Sequence, residues 1–393
     1  MMGSAEQTLP IPDLPASTAG EQMSYKPRPA ACFRPRRIIL ARGSVDTPRR
    51  RALVERICAV YPSAEVIERL DVAHNRIDLG TTDPLKLHCR GKRTLVFGEH
   101  RSAVRQSTEA GNTCPNYWHF SPYGYCPYGC HYCYLAGTRG VRFSPTVKIF
   151  VNLDEILRGV DRVAGRLGRP TAFYLGKLQD GLALEPLTGF MRTMVPFFAA
   201  HPFARLTLLT KSADVRNLLD LDHRYHTILS WTVTPPEIAE RYEPRTPRAA
   251  DRVEAMKACA AAGYPIRAVV MPILPVPRWR TVYGRFLEEL ATALPLSRIT
   301  LGGICIYDSA RQLMERKLGA GNIISDRLDR AASGGGDGRR RFPIEDRVSI
   351  YRHLIGAIRR HRPDLPVGLC LEEHQVFEAL GMTGAIGCCN CVL

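Results

Sequence analysis

The chain has 393 residues, of which 45% are hydrophobic and 23% charged, so it is long enough and apolar enough to fold around a sizeable core. This composition excludes disordered, collagen-like and coiled-coil proteins. Lysine and arginine number 54 against 38 acidic residues. The resulting net charge of +16 favours a polyanionic partner such as nucleic acid, although a generally Arg-rich proteome would give the same surplus.

No stretch approaches the ~18 uninterrupted apolar residues of a transmembrane helix. The polar, proline-rich N-terminus lacks the basic start and apolar run of a signal peptide. We therefore expect a cytoplasmic protein without a membrane partner. Its 13 cysteines indicate metal binding or catalysis, because a chain of this length needs no disulfides to fold.

The first third of the chain is predicted to hold a leader and a small α/β segment. Residues 1–30 are rich in Pro, Ser, Thr and Gly, which is typical of a disordered leader. Residues 31–112 are predicted to form the α/β segment, with strands at 36–41, 64–70 and 93–98 and a helix at 49–60.

Residues 113–310 alternate between apolar strand-like runs and amphipathic helices, which predicts βαβ units and a parallel sheet. This number of units favours a full or partial (β/α) barrel, with its chemistry at the carboxyl ends of the strands. The predicted strands lie at 171–175, 205–210, 227–233, 266–271 and 298–306, and the helices at 153–167, 248–262 and 281–293.

Residues 311–393 form a predicted C-terminal segment. Residues 331–342 (AASGGGDGRRRF) are predicted to be a flexible insert with three consecutive arginines. A helix at 344–360, a strand at 367–371 and a helix at 373–380 follow. The chain ends in a cysteine-rich tail over 387–393.

Cys126, Cys130 and Cys133 form a C-x3-C-x2-C motif. Three thiolates at this spacing can hold one iron–sulfur cluster and leave one iron open for chemistry. The alternative is a zinc knuckle, for which His131 would be the fourth ligand.

This motif, with an aromatic residue before its third cysteine, resembles the signature of the radical S-adenosylmethionine (SAM) superfamily. Most of the chain resembles the spore photoproduct lyase family in particular. The resemblance rests on collinear stretches between ~116 and ~295, namely CHYCYL (130–135), FVNLDEIL (150–157), LTK (209–211), YEPRT (242–246), RVEA (252–255), AGYP (262–265) and MPI (271–273).

The resemblance implies an α/β fold, a partial (β/α) barrel of radical SAM type behind a small N-terminal α/β segment. It implies a 4Fe–4S cluster that binds SAM, with an electron donor such as flavodoxin or ferredoxin. Reductive cleavage of SAM would give a 5′-deoxyadenosyl radical. In this family the radical takes a hydrogen atom from a methylene-bridged thymine dimer in DNA, and a hydrogen atom is later returned.

The same resemblance implies roles for individual residues. Cys126, Cys130 and Cys133 would be the cluster ligands. The backbone of Tyr132 would meet the adenine of SAM, and the hydroxyls of Tyr132 and Tyr134 would belong to a radical relay. Further SAM contacts are implied for Lys211 and Ser230, which also follow or end apolar strand runs. Asp180 is expected either to contact the SAM amino group or to cap the next helix.

The sequence departs from the family at the hydrogen donor. The cysteine expected after the second strand falls on or near Lys177, whose ammonium has no weak bond from which to give a hydrogen atom. We expect the tail thiols of Cys388, Cys389 and Cys391 to be chemical, as hydrogen donor, ligands of a second cluster or a redox disulfide. Cys114 is a weaker candidate for a site thiol. Cys58, Cys259, Cys305 and Cys370 are predicted to pack in the core.

Three functions follow from these observations. The first is a lesion-repair lyase of the spore photoproduct type. The second is an enzyme of the same family that acts on another nucleic acid, a small molecule or a peptide. The third is a non-catalytic iron–sulfur protein that binds nucleic acid, which would bind its metal but never cleave SAM.

Overall fold

The computed structural model describes residues 24–328 and 337–393, which form two mainly parallel sheets with helices around them. The strands are β1 (Arg37–Ala41), β2 (Glu65–Arg69), β3 (Thr94–Gly98), β4 (Arg105–Ser107), β5 (Tyr117–His119), β6 (Tyr123–Gly124), β7 (Val147–Phe150), β8 (Thr171–Leu175), β9 (Ala204–Thr210), β10 (Thr227–Thr232), β11 (Ile266–Ile273), β12 (Leu296–Gly303), β13 (Ile306–Tyr307), β14 (Arg339–Arg340) and β15 (Val367–Leu369).

The helices are α1 (Pro48–Ala59), α2 (Pro84–Gly91), α3 (Arg139–Phe143), α4 (Leu153–Leu167), α5 (Glu185–Thr188), α6 (Met191–Ala200), α7 (Pro236–Tyr242), α8 (Ala249–Ala261), α9 (Trp279–Ala293), α10 (Asp308–Leu318), α11 (Ile344–His361) and α12 (His374–Leu380). Within the described ranges, no helix combines the length and the apolar character needed to cross a bilayer.

The larger sheet has eight strands in the order β15-β12-β11-β10-β9-β8-β5-β4. Every neighbouring pair is parallel except β4 with β5. Its central strands are almost continuously buried, as expected for a parallel sheet covered by helices on one face and curled around a core on the other. The sheet is a curled half-barrel, so the predicted partial (β/α) barrel is confirmed.

The second sheet has the order β2-β1-β3-β7-β6 and contains the predicted N-terminal α/β segment. Its membership does not stop at residue 112, because β6 and β7 come from beyond that point and β4, from before it, joins the half-barrel. The C-terminal segment is likewise part of the half-barrel, since β15 pairs with β12.

The two segments predicted to be flexible are ordered where the structure describes them. Residues 1–23 of the leader lie outside the described residues. From there on the leader packs on the half-barrel: Tyr25 Oη donates to Pro186 O at 2.9 Å, and Arg28 forms a 3.0 Å ion pair with Asp214. The expectation of disorder up to residue 30 is therefore wrong for 25–30.

The arginines of the glycine-rich insert are also held in place, although residues 329–336 lie outside the described residues. Arg341 is 1% exposed and pairs with Asp337 at 2.5 Å. Arg339 pairs with Glu109 at 2.5 Å, and its strand β14 pairs with β13. Over 337–342, the described part of the predicted insert, the three arginines are thus ion-paired, and 339–340 form strand β14.

Candidate active site

The loop that carries the C-x3-C-x2-C motif follows β6 and is held from two sides. Lys92, 2% exposed, donates from its ammonium to the carbonyls of Cys126 and Tyr128, the latter at 2.7 Å. On the other side, Gly129 N donates to Pro244 O at 3.0 Å. A Cβ at Gly129 would lie 2.6 Å from that carbonyl oxygen, so a glycine is required there.

The motif opens into one pocket at the carboxyl ends of β8 to β12, where a (β/α) barrel places its chemistry. We call this the active-site pocket. It is lined by four cysteines, three tyrosines, several polar residues and an apolar wall: Cys126, Cys130, Cys133, Cys305, Tyr128, Tyr132, Tyr134, Gln179, Asp180, Thr210, Lys211, Thr232, Leu135, Leu209, Val269, Met271 and Ile304, together with Gly176, Pro272 and Gly303.

The three motif thiols line the pocket, whereas His131, the fourth ligand that the zinc alternative needs, does not. Across 24–328 and 337–393, no three His, Cys, Asp or Glu side chains form a compact site for one metal ion.

Positive charge lies next to the motif thiols. Burial raises the pKa of the Cys126 thiol, and the neighbouring Lys92 opposes this shift. Burial likewise raises the pKa of Cys130 to about 12, against the opposing effect of Lys211. The site therefore places cations where the thiolates of a bound cluster would carry negative charge.

Lys211 is held at the pocket by a buried carboxylate. Its Nζ lies 3.5 Å from Glu243 Oε1, and Arg252 forms a 2.5 Å ion pair with the other oxygen of Glu243. The hydroxyl of Tyr132 donates to the same carboxylate. Although burial acts in the opposite direction, the two cations hold the pKa of Glu243 below its ordinary value, so it stays ionised. Glu243 and Arg252 lie in the YEPRT and RVEA stretches, but the sequence alone indicated no role for either residue.

Asp180 lines the pocket and also organises the backbone around it. Its carboxylate accepts hydrogen bonds from Thr210 Oγ1 at 2.6 Å and from Lys211 N at 2.7 Å. It also accepts from the backbone nitrogens of Leu182 and Ala183, at 3.0 Å and 2.9 Å. These bonds join the carboxyl ends of β8 and β9. Asp180 does not cap the next helix, because α5 has Leu184 at its N-cap and no side chain bonded there.

Tyr134 and Lys177 meet through the backbone rather than through their side chains. Tyr134 Oη donates to Lys177 O at 2.7 Å. The Lys177 ammonium pairs with Glu109 at 2.7 Å and is not among the groups that line the pocket. Lys177 therefore presents only its backbone to Tyr134.

The remaining predicted site residues lie outside the pocket wall. Ser230 is fully buried within β10, and Thr232, two residues on, lines the pocket instead. Cys388, Cys389 and Cys391 are not among the lining residues either. Cys305, predicted to be a core residue, is the pocket's additional thiol; the end of β12 brings it there, and the apolar run that contains it gave no signal.

This half-barrel, with a three-cysteine loop at the carboxyl ends of its strands, defines the class of radical SAM enzymes. The family model described as "Spore photoproduct lyase" matches residues 33–347. The chain belongs to that family of radical SAM lyases.

Curated relatives agree with this assignment. Spore photoproduct lyase from Clostridium acetobutylicum is 27% identical over 260 residues, which is 66% of this chain and 74% of the relative. Spore photoproduct lyase from Bacillus subtilis (strain 168) is 29% identical over 230 residues, 58% of this chain and 65% of the relative.

Solved structures share the fold. A spore photoproduct lyase complexed with dinucleoside spore photoproduct superposes with a TM-score of 0.75 at 22% identity, covering 86% of this chain and 99% of that one. A variant of spore photoproduct lyase with bound AdoMet and the same dinucleoside gives a TM-score of 0.74 at 22% identity, covering 85% and 98%.

Proposed function

We propose that this chain is a radical SAM lyase that repairs a methylene-bridged thymine dimer in DNA. The observation that carries the proposal is the composition of one pocket. Three motif thiols, an ion-paired lysine and a further thiol meet there, in a chain whose residues 33–347 match the spore photoproduct lyase family. The net charge of +16 suits a polyanionic substrate.

Cys126, Cys130 and Cys133 would hold the 4Fe–4S cluster. When bound, the cluster and SAM supply the one-electron cleavage that yields the hydrogen-abstracting radical. Lys211, fixed by Glu243, would offer its ammonium to the carboxylate of SAM. Contacts of Ser230 and Asp180 with SAM remain predictions from the family resemblance.

The rest of the pocket would protect the radical from side reactions. Its wall over Leu135, Leu209 and Val269 is apolar, and so are Met271 and Ile304. With substrate in place, these side chains would keep water from the reacting atoms. An enclosed, dry site prevents a reactive intermediate from being quenched.

We propose that Cys305, rather than one of the tail cysteines, donates the hydrogen atom that is returned to the thymine product radical. Cys305 lines the pocket and is 7% exposed. Burial raises the pKa of its thiol to about 11, so the S–H bond that a hydrogen donor needs is intact at neutral pH. Arg339 Nη1 lies 4.0 Å from its sulfur and fixes the orientation of the side chain.

Groups in the pocket would then both donate the hydrogen atom and restore the donor. The Cys305 S–H bond breaks as a C–H bond forms on the thymine product radical, which leaves a sulfur-centred radical. A hydrogen atom from 5′-deoxyadenosine, passed by the Tyr132 and Tyr134 hydroxyls that the family resemblance assigns to a relay, would restore the thiol. Both tyrosines line the same pocket as Cys305.

The test is anaerobic turnover of reconstituted enzyme with SAM, dithionite and dinucleoside spore photoproduct. 5′-Deoxyadenosine and repaired thymine are followed together. Appearance of both supports the lyase function. 5′-Deoxyadenosine without repair would mean that the radical chemistry acts on another substrate, and an iron-loaded chain that never cleaves SAM would leave only the non-catalytic function.

A further inference from the structure

A second group of cysteines meets inside the molecule, outside the active-site pocket. It consists of Cys114, Cys370, Cys389 and Cys391, and we call it the thiol tetrad. Three distant parts of the chain supply it, and backbone contacts bring these parts together. Thr113, next to Cys114, donates from both N and Oγ1 to Glu372 O at 3.0 Å.

The tail is seated on the last strand of the half-barrel. A Cβ added at Gly368, in β15, would lie 1.9 Å from Cys388 O, so the tail backbone rests directly on that strand. Cys370 follows β15, and its N donates to Leu301 O in β12 at 2.8 Å. Cys389 is 3% exposed, which is the burial of a core residue rather than of a frayed end.

The four thiols are close enough to interact in every pairing. Burial and then Cys389 raise the pKa of Cys114. Burial, then Cys114 and Cys389, raise that of Cys370. The pKa of Cys391 is raised by its hydrogen bond with Cys389, by burial, and by Cys370 and Cys114. A group of mutually interacting thiols is the arrangement that a multi-iron cluster requires.

Two arginines bring positive charge to the tetrad. Arg298 Nη1 donates to Cys389 O at 2.7 Å, and Arg267 Nη1 donates to Val392 O at 2.5 Å. Both belong to strands of the half-barrel, β12 and β11. They would offset the negative charge of four thiolates in a buried site.

Buried polar atoms beside the tetrad lack a partner. Asn390, between two tetrad cysteines, is 4% exposed, yet neither its Nδ2 nor its Oδ1 has a hydrogen bond among the described residues. Arg267 is 5% exposed, and its Nε likewise has no hydrogen-bond partner among the described residues. Buried donors are normally paired, and inorganic sulfide accepts N–H hydrogen bonds in iron–sulfur proteins.

We propose that Cys114, Cys370, Cys389 and Cys391 hold a second 4Fe–4S cluster. Four thiolates close every iron of a cluster, so this site transfers electrons and does not bind substrate. The inference goes beyond the proposed repair activity and does not depend on it.

Tyr134 interacts with both groups of cysteines. Burial raises its pKa, and both Cys133 of the motif loop and Cys370 of the tetrad add to the shift.

The experiment measures iron, sulfide and zinc in the full chain after anaerobic reconstitution. We expect about eight irons and eight sulfides per chain, and about four of each when Cys126, Cys130 and Cys133 are all replaced by alanine. The triple variant should keep the visible absorbance of a cluster and, once reduced, its electron paramagnetic resonance signal. Circular dichroism verifies that it is folded.

Matched single variants in the triple-variant background identify the ligands. Cys391→Ala should lose the remaining iron, whereas Cys388→Ala, an exposed neighbour in the same tail, should keep it. No iron in the folded triple variant, about one zinc per chain instead, or a Cys389–Cys391 disulfide in the reconstituted protein would each overturn the proposal. Repair of the dinucleoside is assayed separately, so its failure leaves this result unaffected.

Discussion

The motif loop and the thiol tetrad both bring cysteines together, but in opposite ways. The loop takes its three thiols from Cys126–Cys133 and opens into a pocket lined by Lys211 and Cys305. The tetrad takes its thiols from residues as far apart as Cys114 and Cys391, and none of the four lines that pocket. Local spacing produces an open site for substrate, whereas tertiary packing produces a closed one.

The largest expected effect separates the two sites directly. Cys130→Ala removes a ligand from the open site, so SAM cleavage and repair should both become undetectable. About four irons should remain in the tetrad. Cys391→Ala should also lower the iron content, because it removes a ligand of the tetrad. Unlike Cys130→Ala, it should keep dithionite-driven SAM cleavage. Iron analysis and 5′-deoxyadenosine assays on both variants measure this contrast, and equal losses of both quantities in the two variants would contradict it.

Replacing Cys305 tests whether the pocket or the tail supplies the hydrogen atom that is returned to thymine. Cys305→Ala should lower repair at least about tenfold, equivalent to about 1.4 kcal/mol of barrier, because the pocket loses its S–H bond. Formation of 5′-deoxyadenosine should continue. Because thiol protons exchange with solvent, the native enzyme in D₂O should place deuterium in the repaired thymine.

Mass spectrometry of the repaired thymine from each variant measures both the yield of repair and the deuterium content. Cys259→Ala is the matched control, since this buried cysteine of α8 is not in the pocket wall. Undiminished repair and deuterium transfer in Cys305→Ala would show that the donor lies elsewhere, with the tail cysteines the next to be tested.

A smaller effect concerns the ion pairs behind the open site. Glu243→Gln leaves the buried Arg252 guanidinium without its counter-charge, which should cost about 3–5 kcal/mol of the free energy of unfolding. Urea denaturation measures it. Glu254→Gln, in an exposed 2.9 Å pair with Lys257, should cost at most about 1 kcal/mol. Similar losses for both variants would mean that burial does not set the strength of these pairs.

The smallest expected effect lies beside the tetrad and depends on pH. Asp337 pairs with Arg341 and accepts from Asn112 Nδ2 at 3.1 Å. Although burial opposes it, these contacts lower the pKa of Asp337 to about 2. Since the folded-state pKa lies below the ordinary value of 3.8, the stabilisation is complete above about pH 4 and is lost as the pH falls toward 2.

Asp337→Asn should therefore lower the melting temperature at pH 6, and the difference from the native chain should shrink between pH 4 and 2. Thermal melts across this range measure it. Asp222→Asn, which removes an exposed pair with Arg224, serves as the control and should change the melting temperature little at any pH. A difference for Asp337→Asn that stays constant with pH would exclude the ionic contribution.

The fold was predictable where the pattern is local. Strand β8 and helix α4 have the bounds that the apolar periodicity predicts, 171–175 and 153–167. The three-residue strand β5 gave no such signal, because Tyr117–His119 is too short for a period. Its place in the half-barrel comes from pairing with β8, which is tertiary information.

The residues of the functional site were likewise predictable only where the pattern is local. The cluster ligands were readable, because C-x3-C-x2-C is local and the family resemblance is collinear. Lys92 and Glu243 were not assigned roles, since they reach the motif loop from distant elements. Cys305 looked like one more apolar position of a strand, and only the curvature of the sheet turns it toward the pocket.

One carboxylate has a consequence for how the molecule unfolds. Glu109, between β4 and β5, pairs with Lys177 after β8 and with Arg339 in β14. Three parts of the chain that the sequence separates into segments thus share one buried charge, and opening any of them exposes the other two. We expect a single cooperative calorimetric transition rather than stepwise melting, and amide hydrogen exchange at these three positions at a common rate.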